Sequence, residues 1–337
     1  MKNFTLRVSM LAAAALLIQS CSNETESVDT PLSLNKALLF TTSNTSGYSE
    51  IIATTNGDLT LERSLTGTGQ DNAGVFYDAI EDCLIQASRE DKEVRLYENV
   101  KFAPNGGVIT PSSVSADGFL NARDIASNST GQIIVSSDAA QPGDSNKFFI
   151  YDVAPSGLIF KKQFVTTNQN WGIDINGNDL YAVNDNTNRV TIFNNVFSRT
   201  GQILAIDNQI VIEGATNLKG LTYDVDTDVL ILTDVRNQFN DSDGAIFVID
   251  DFTTKLNAVG PFGVILPSMY RKIEGSNTTL GTPLDVQYNS QTGMIYVADR
   301  SSQSGSVITF DIRNTGTNAT PLSTRQVRGV SSLYLKK

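Results

Sequence analysis

The apolar positions of this chain fall in short runs separated by polar turns, and five of the runs repeat one phrase. Residues 83–89, 132–138, 179–185, 229–234 and 294–299 are apolar or β-branched stretches that end on Arg89, Asp138, Asp185, Asp234 and Asp299. Those last residues lie 49, 47, 49 and 65 positions apart. Such a period marks a stacked β-module rather than a single extended sheet. Each run is followed by a second strand pattern (93–100, 147–153, 189–196, 245–252 and 306–312), in which β-branched and aromatic residues alternate as on a pleated, packed surface. Each is preceded by a shorter one (74–78, 124–128, 172–176, 220–224 and 285–289) that reaches it through a tight polar turn such as Asn176-Gly177-Asn178. Three strands per unit are therefore visible. A fourth is expected in the weaker stretch before the next unit, for example 158–166.

The two ends complement each other. Residues 329–334 read as an inner strand with nothing after it, while 36–42 and 50–54 read as middle and third strands with no inner strand before them. Joining them makes a sixth unit and closes a ring, which removes the open sheet edges of a linear array. The predicted fold is all-β: a six-bladed β-propeller over residues 35–337 whose N- and C-terminal strands share one blade.

At this level the residues carry a resemblance. Gly172-Ile-Asp-Ile, Asp179-Leu-Tyr-Ala-Val-Asn-Asp185, Asn188-Arg-Val-Thr-Ile-Phe193 and Met294-Ile-Tyr-Val-Ala-Asp299 resemble NHL repeats and the wider set of TolB-like and SMP-30-like six-bladed propellers. The resemblance implies the fold. It does not imply one function, since this scaffold hosts binding modules, lactonases and lyases alike.

Strand direction sorts the loops. One face collects the starts of inner strands, the ends of middle strands and the connections between blades, including 139–146, 235–244, 300–305 and the stretch 267–274 before Asp285. The opposite face is expected to hold mostly short turns. Long loops on a rigid scaffold are where binding sits. At the mouth of the channel on that face the sequence places Arg123, Asp124, Trp171, Lys219, Asp285 and Arg328, with Asp174 two residues along the strand from Gly172. Trp171 is the only tryptophan. It is read either as a stacking platform for a flat ligand such as a sugar or as a wedge between blades.

The acids Asp138, Asp185, Asp234 and Asp299 form a second ring, read as caps for the turns that follow them. Four such carboxylates suggest calcium, but a ring around a propeller spaces them too widely for one ion, and Asn240-Asp-Ser-Asp-Gly244 resembles part of a calcium loop without its closing Glu. No cofactor is otherwise expected. The chain contains no histidine, which removes Ser-His-Asp and Cys-His nucleophiles and His-ligated zinc. Carboxylate chemistry stays open. SMP-30-like lactonases hold a metal with a first-blade Glu plus Asn and Asp near the channel, and here the first-blade inner strand 329–334 contains no acid. Two functions therefore stand side by side. One is a non-catalytic module that binds a protein, peptide or glycan through the long-loop face, and the other is a metal-dependent hydrolase or lactonase using Asp124, Asp174 and Asp285.

Charge and the N-terminus locate the molecule. Residues 1–20 carry Lys2, Arg7 and a short apolar stretch, then Ile18-Gln19-Ser20-Cys21. This is signal-peptide anatomy, too short to span a bilayer, and the last four residues resemble a bacterial lipobox in which Cys21 becomes the lipidated first residue. The acidic stretch behind it, residues 21–34, reads as a flexible tether and resembles the surface-export signals of Bacteroidota lipoproteins. The implied location is the outer membrane, anchored by lipid on Cys21. Loss of Lys2 and Arg7 takes the net charge from −11 to −13, which excludes nucleic acid as a partner. A monomer is expected. Cys83 has no second cysteine to pair with after Cys21 is lipidated and reads as a buried filler.

Overall fold

A computed structural model describes residues 30–115, 118–301, 304–314 and 316–337. The expected signal peptide and Cys21 lie outside the described residues. Among those described, six sheets follow one another around an axis. Blade 1 combines Val330–Lys336 with Leu38–Ser43, Tyr48–Thr55 and Asp58–Thr66, and a short strand, Gly107–Val108, adds to its outer edge. The expected clasp is thus present: Phe40 faces Tyr334 and Leu39 faces Leu335 in antiparallel register. Blades 2 to 6 have their inner strands at Asn72–Asp78, Asn121–Ser127, Asn170–Asn176, Leu218–Asp224 and Pro283–Asn289.

Period-2 alternation explains how each blade holds two neighbours at once. Successive side chains on a strand point to opposite faces. In the middle strand of blade 5, Leu230 and Leu232 pack toward blade 4, whereas Val229 and Ile231 pack toward blade 6. Both faces are dry, so the middle strands read as nearly continuous apolar runs. The core is accordingly divided into six clusters, one in each seam between adjacent blades. Cys83 is free and buried in the seam between blades 2 and 3, where burial pushes its thiol up to about 12.

Three expectations need correction. The face opposite the mouth is not a set of short turns: connections 99–112, 194–207 and 250–270 lie there, and the last holds the helix Phe252–Val259. Residues 267–274 are not a mouth loop, because Arg271–Glu274 is the outer strand of blade 5 and pairs with Ala245–Ile249. Lastly, the end of the expected tether is packed: Leu32 is buried with its amide on the Lys101 carbonyl at 2.9 Å, and Arg63 holds the Thr30 carbonyl at 2.8 Å. Among the described residues no helix is long and apolar enough to cross a membrane.

Candidate functional site: the channel mouth

One local irregularity recurs in all six blades. Where each inner strand nears the mouth, its pairing with the middle strand slips by one residue, at Ser331, Gly74, Arg123, Trp171-Gly172, Lys219-Gly220 and Leu284. Such a bulge breaks the in-out alternation and re-aims a side chain. It also strands an amide, which hydroxyls of the middle strands satisfy. Asp124 donates its N–H to Ser136 Oγ at 3.1 Å, and Gly220 donates to Thr233 Oγ1 at 2.8 Å. The bulge also explains why the inner strands begin two or three residues earlier than their apolar pattern predicts.

Below the bulge the ring is narrow. A Cβ on Gly172 would fall 2.5 Å from the Lys219 carbonyl oxygen, and one on Gly220 would fall 2.5 Å from Cα of Asp285. Adjacent inner strands therefore touch backbone to backbone. Elsewhere in this belt, acids bridge the blades. Asp124 accepts the amide of Ile173 at 2.9 Å, Asp174 accepts that of Tyr223 at 2.8 Å, and Asp285 accepts that of Leu333 at 2.7 Å together with the Ser332 hydroxyl at 2.8 Å. Each also caps the amide that follows it in its own strand. Burial raises all three carboxyls. Asp174 and Asp285 reach about 6, and Asp124 is raised well above the usual range by burial and then by the charge of Asp285.

Above the bulge lies an open cavity of about 550 Å³. Arg123, Trp171 and Lys219 line it together with Arg89, Asp185, Phe239, Asp241, Leu284 and Arg300. Trp171 is flanked from both neighbouring blades: Arg123 Cζ is 4.0 Å and Lys219 Nζ 4.3 Å from its ring centre. Each cation is held in turn by an acid of the second ring. Arg123 Nε donates to Asp138 Oδ2 at 2.8 Å, and Lys219 Nζ pairs with buried Asp185. Burial lowers the Lys219 ammonium against the pull of Asp185, and it raises Asp138 to about 6 against the pull of Arg123.

Of the seven residues the sequence placed at the mouth, the fold brings three together in this cavity: Arg123, Trp171 and Lys219. Asp124, Asp174 and Asp285 are spent on the belt beneath. Arg328 lines a separate hollow of about 450 Å³ with Tyr48, Glu50 and Gln326. Trp171 is half-buried, with a cation from each neighbouring blade over its ring. The reading of the second acid ring as turn caps holds for Asp234, which accepts the amides of Asn217 and Arg236, and for Asp299, which accepts those of Gly281 and Ser301. Asp138 accepts the Asn170 amide at 3.0 Å and also steadies Arg123, while Asp185 steadies Lys219. Among the described residues no three His, Cys, Asp or Glu side chains group closely enough to hold a metal ion. In the calcium-loop-like segment, Asn240 accepts the Ser242 amide and hydroxyl.

Sequence reading missed Arg89, Arg300 and Phe239. A signal for the first was available: Arg89 stands in the column that Asp occupies in four other blades. Arg89 pairs with Asp71, its Nε 3.0 Å from Oδ1.

No family model matches this sequence, and no curated protein matches it either. Solved structures do. A chain of the nidogen/laminin complex is similar over 89% of this chain and 98% of its own, with a TM-score of 0.60 and 14% identity. A candidate 6-phosphogluconolactonase from Bacteroides fragilis follows, with a TM-score of 0.54 and 13% identity over 90% of this chain and 85% of its own. The periplasmic gluconolactonase of Pseudomonas aeruginosa has a TM-score of 0.52 and 14% identity over 89% and 85%. At such identities the likeness is one of fold.

Proposed function

We propose that this protein is a non-catalytic binding module, tethered to the bacterial envelope by lipid on Cys21, that captures a segment of a protein or peptide at the channel mouth. The observation that carries this reading is the construction of the cavity. Arg89, Arg123 and Lys219 are held by ion pairs, and Trp171 by the last two of these cations, before any ligand arrives, and preorganisation of that kind reduces the cost of binding. The volume lies within the ~300–1,000 Å³ range of ligand pockets. A glycan is a poorer fit for Trp171, because stacking would displace cations whose contact with the ring contributes about 0.5–2 kcal/mol.

The lactonase alternative asks more of the molecule. Asp124, Asp174 and Asp285 would have to release backbone amides that join the blades before their oxygens could serve a metal or a water. Titration of the purified chain with capped peptides, read by the fluorescence of Trp171, tests the binding reading directly. Hydrolysis of gluconolactone that depends on added calcium and disappears in Asp174→Asn would replace it. Mass analysis of the mature N-terminus, with Cys21→Ser as control, tests the anchor.

A further inference from the structure

The cations of the mouth are unequal. Arg89, Arg123 and Lys219 each have an acid as ion-pair partner, namely Asp71, Asp138 and Asp185. Arg300 has none within ion-pair distance among the described residues. Its Nη1 lies 3.0 Å from the Asn44 side chain, a neutral carboxamide whose oxygen faces the guanidinium once its amide is oriented to suit both neighbours. The side chain is exposed at the cavity wall, beside Arg89 and Arg123. Desolvation first, then the charges of Arg89 and Arg123, push its guanidinium below the ordinary value, with Asp71 opposing. A crowded, unneutralised guanidinium fork facing open space is matched to a planar oxyanion, which it can hold with two parallel hydrogen bonds. On the same cavity wall Phe239 is 87% exposed, above the buried side chains of Leu284 and Val235. The one lining acid that is not paired to a cation, Asp241, is exposed and only loosely held by the Thr282 hydroxyl at 3.5 Å.

We infer that the mouth selects a carboxylate carried on a peptide, anchored by Arg300, with the adjacent apolar side chain of that peptide against Phe239. The inference rests on the mouth being the binding site, as proposed above. One unpaired guanidinium balances one negative charge. An Asp or Glu side chain supplies that charge, and the peptide chain supplies the apolar neighbour that Phe239 would cover. Asp241 opposes the same ligand and sets an upper limit on its affinity.

The test uses the full chain and a set of capped tetrapeptides with Glu or Gln at the second position and varied side chains at the third, read by Trp171 fluorescence. Glu peptides are expected to saturate the signal, most tightly with an aromatic or large aliphatic third residue, and their Gln counterparts to bind about tenfold or more weakly. Arg300→Gln should lose that tenfold preference, and Asp241→Asn should tighten Glu peptides by roughly twofold to threefold. Arg328→Gln, in the separate hollow, should change nothing. An unaltered melting temperature of Arg300→Gln excludes misfolding as the cause. Equal binding of Glu and Gln peptides, or an unchanged preference in Arg300→Gln, would overturn the inference while leaving the binding module intact. Inorganic phosphate competing as well as the Glu peptides would overturn the choice of carboxylate. If no peptide of either kind alters the fluorescence, both readings fall together.

Discussion

Arg123 and Asp124 are neighbours in the chain and belong to different machines. Arg123 reaches upward into the mouth, against Trp171 and Asp138, whereas Asp124 reaches sideways and takes the Ile173 amide of the next blade. The same division runs around the ring. Lys219 lines the cavity while Gly220 beside it presses on the Asp285 backbone, and Trp171 lines it while Asp174, three residues on, bridges to Tyr223. The bulge makes this possible: one extra residue gives a single strand both an upper position for ligand and a lower one for closure. Acid at the lower position accepts backbone amides across the blade seams, three times around the ring.

Four measurements would break or sharpen that contrast. The largest effect is expected from removing residues 330–337. Without its inner strand blade 1 exposes Leu38–Ser43 as an open edge, and cooperative thermal unfolding followed by circular dichroism should disappear. Gly220→Ala comes next. Its Cβ would meet backbone rather than a yielding side chain, so a loss of about 3 kcal/mol in urea unfolding, near the top of the overpacking range, is expected. A melting temperature equal to that of the parent would mean the belt is looser than described.

The third concerns pH. Asp174 and Asp285 titrate at about 6 in the folded protein, against about 3.9 for an unfolded aspartate. Between about pH 4 and 6 the folded state keeps protons the unfolded chain has released, so stability falls as pH rises through that window. Unfolding free energies from urea titration should be larger at pH 5 than at pH 7.5, by about 3 kcal/mol for the two groups together, and the slope should flatten in Asp174→Asn/Asp285→Asn. Acids lowered by ion pairs, such as Asp91 with Arg95 and Asp311 with Arg313, work the other way and cost stability only below about pH 4. The smallest effect belongs to the mouth itself. Arg300→Gln should leave stability within about 0.5 kcal/mol; a larger loss in the same urea series would place Arg300 in the framework instead.

Much of the framework was legible in the residues. The recurring strand triplets, the Asp at the end of four middle strands and the unmatched strands at the two ends predict the six blades and their closure, because strand periodicity and edge pairing are local or nearly local properties. The site was legible only in part. Arg123, Trp171 and Lys219 were found by their position at the strand starts. Arg300 and Phe239 were not, since each sits in a loop whose course depends on what the neighbouring blades leave open.

What the order of amino acids settled by itself is the ring: alternation buries both faces of every middle strand, and a chain with a strand to spare at each end can satisfy both only by joining them. Tertiary structure alone decided which charges are spent and which are free. Asp124, Asp174 and Asp285 accept amides some fifty residues away in the chain, and among the described residues no acid comes within ion-pair distance of Arg300, whereas Arg89, Arg123 and Lys219 each meet one. Electrostatic pairing depends on distance through space, and that distance exists only once the blades have closed.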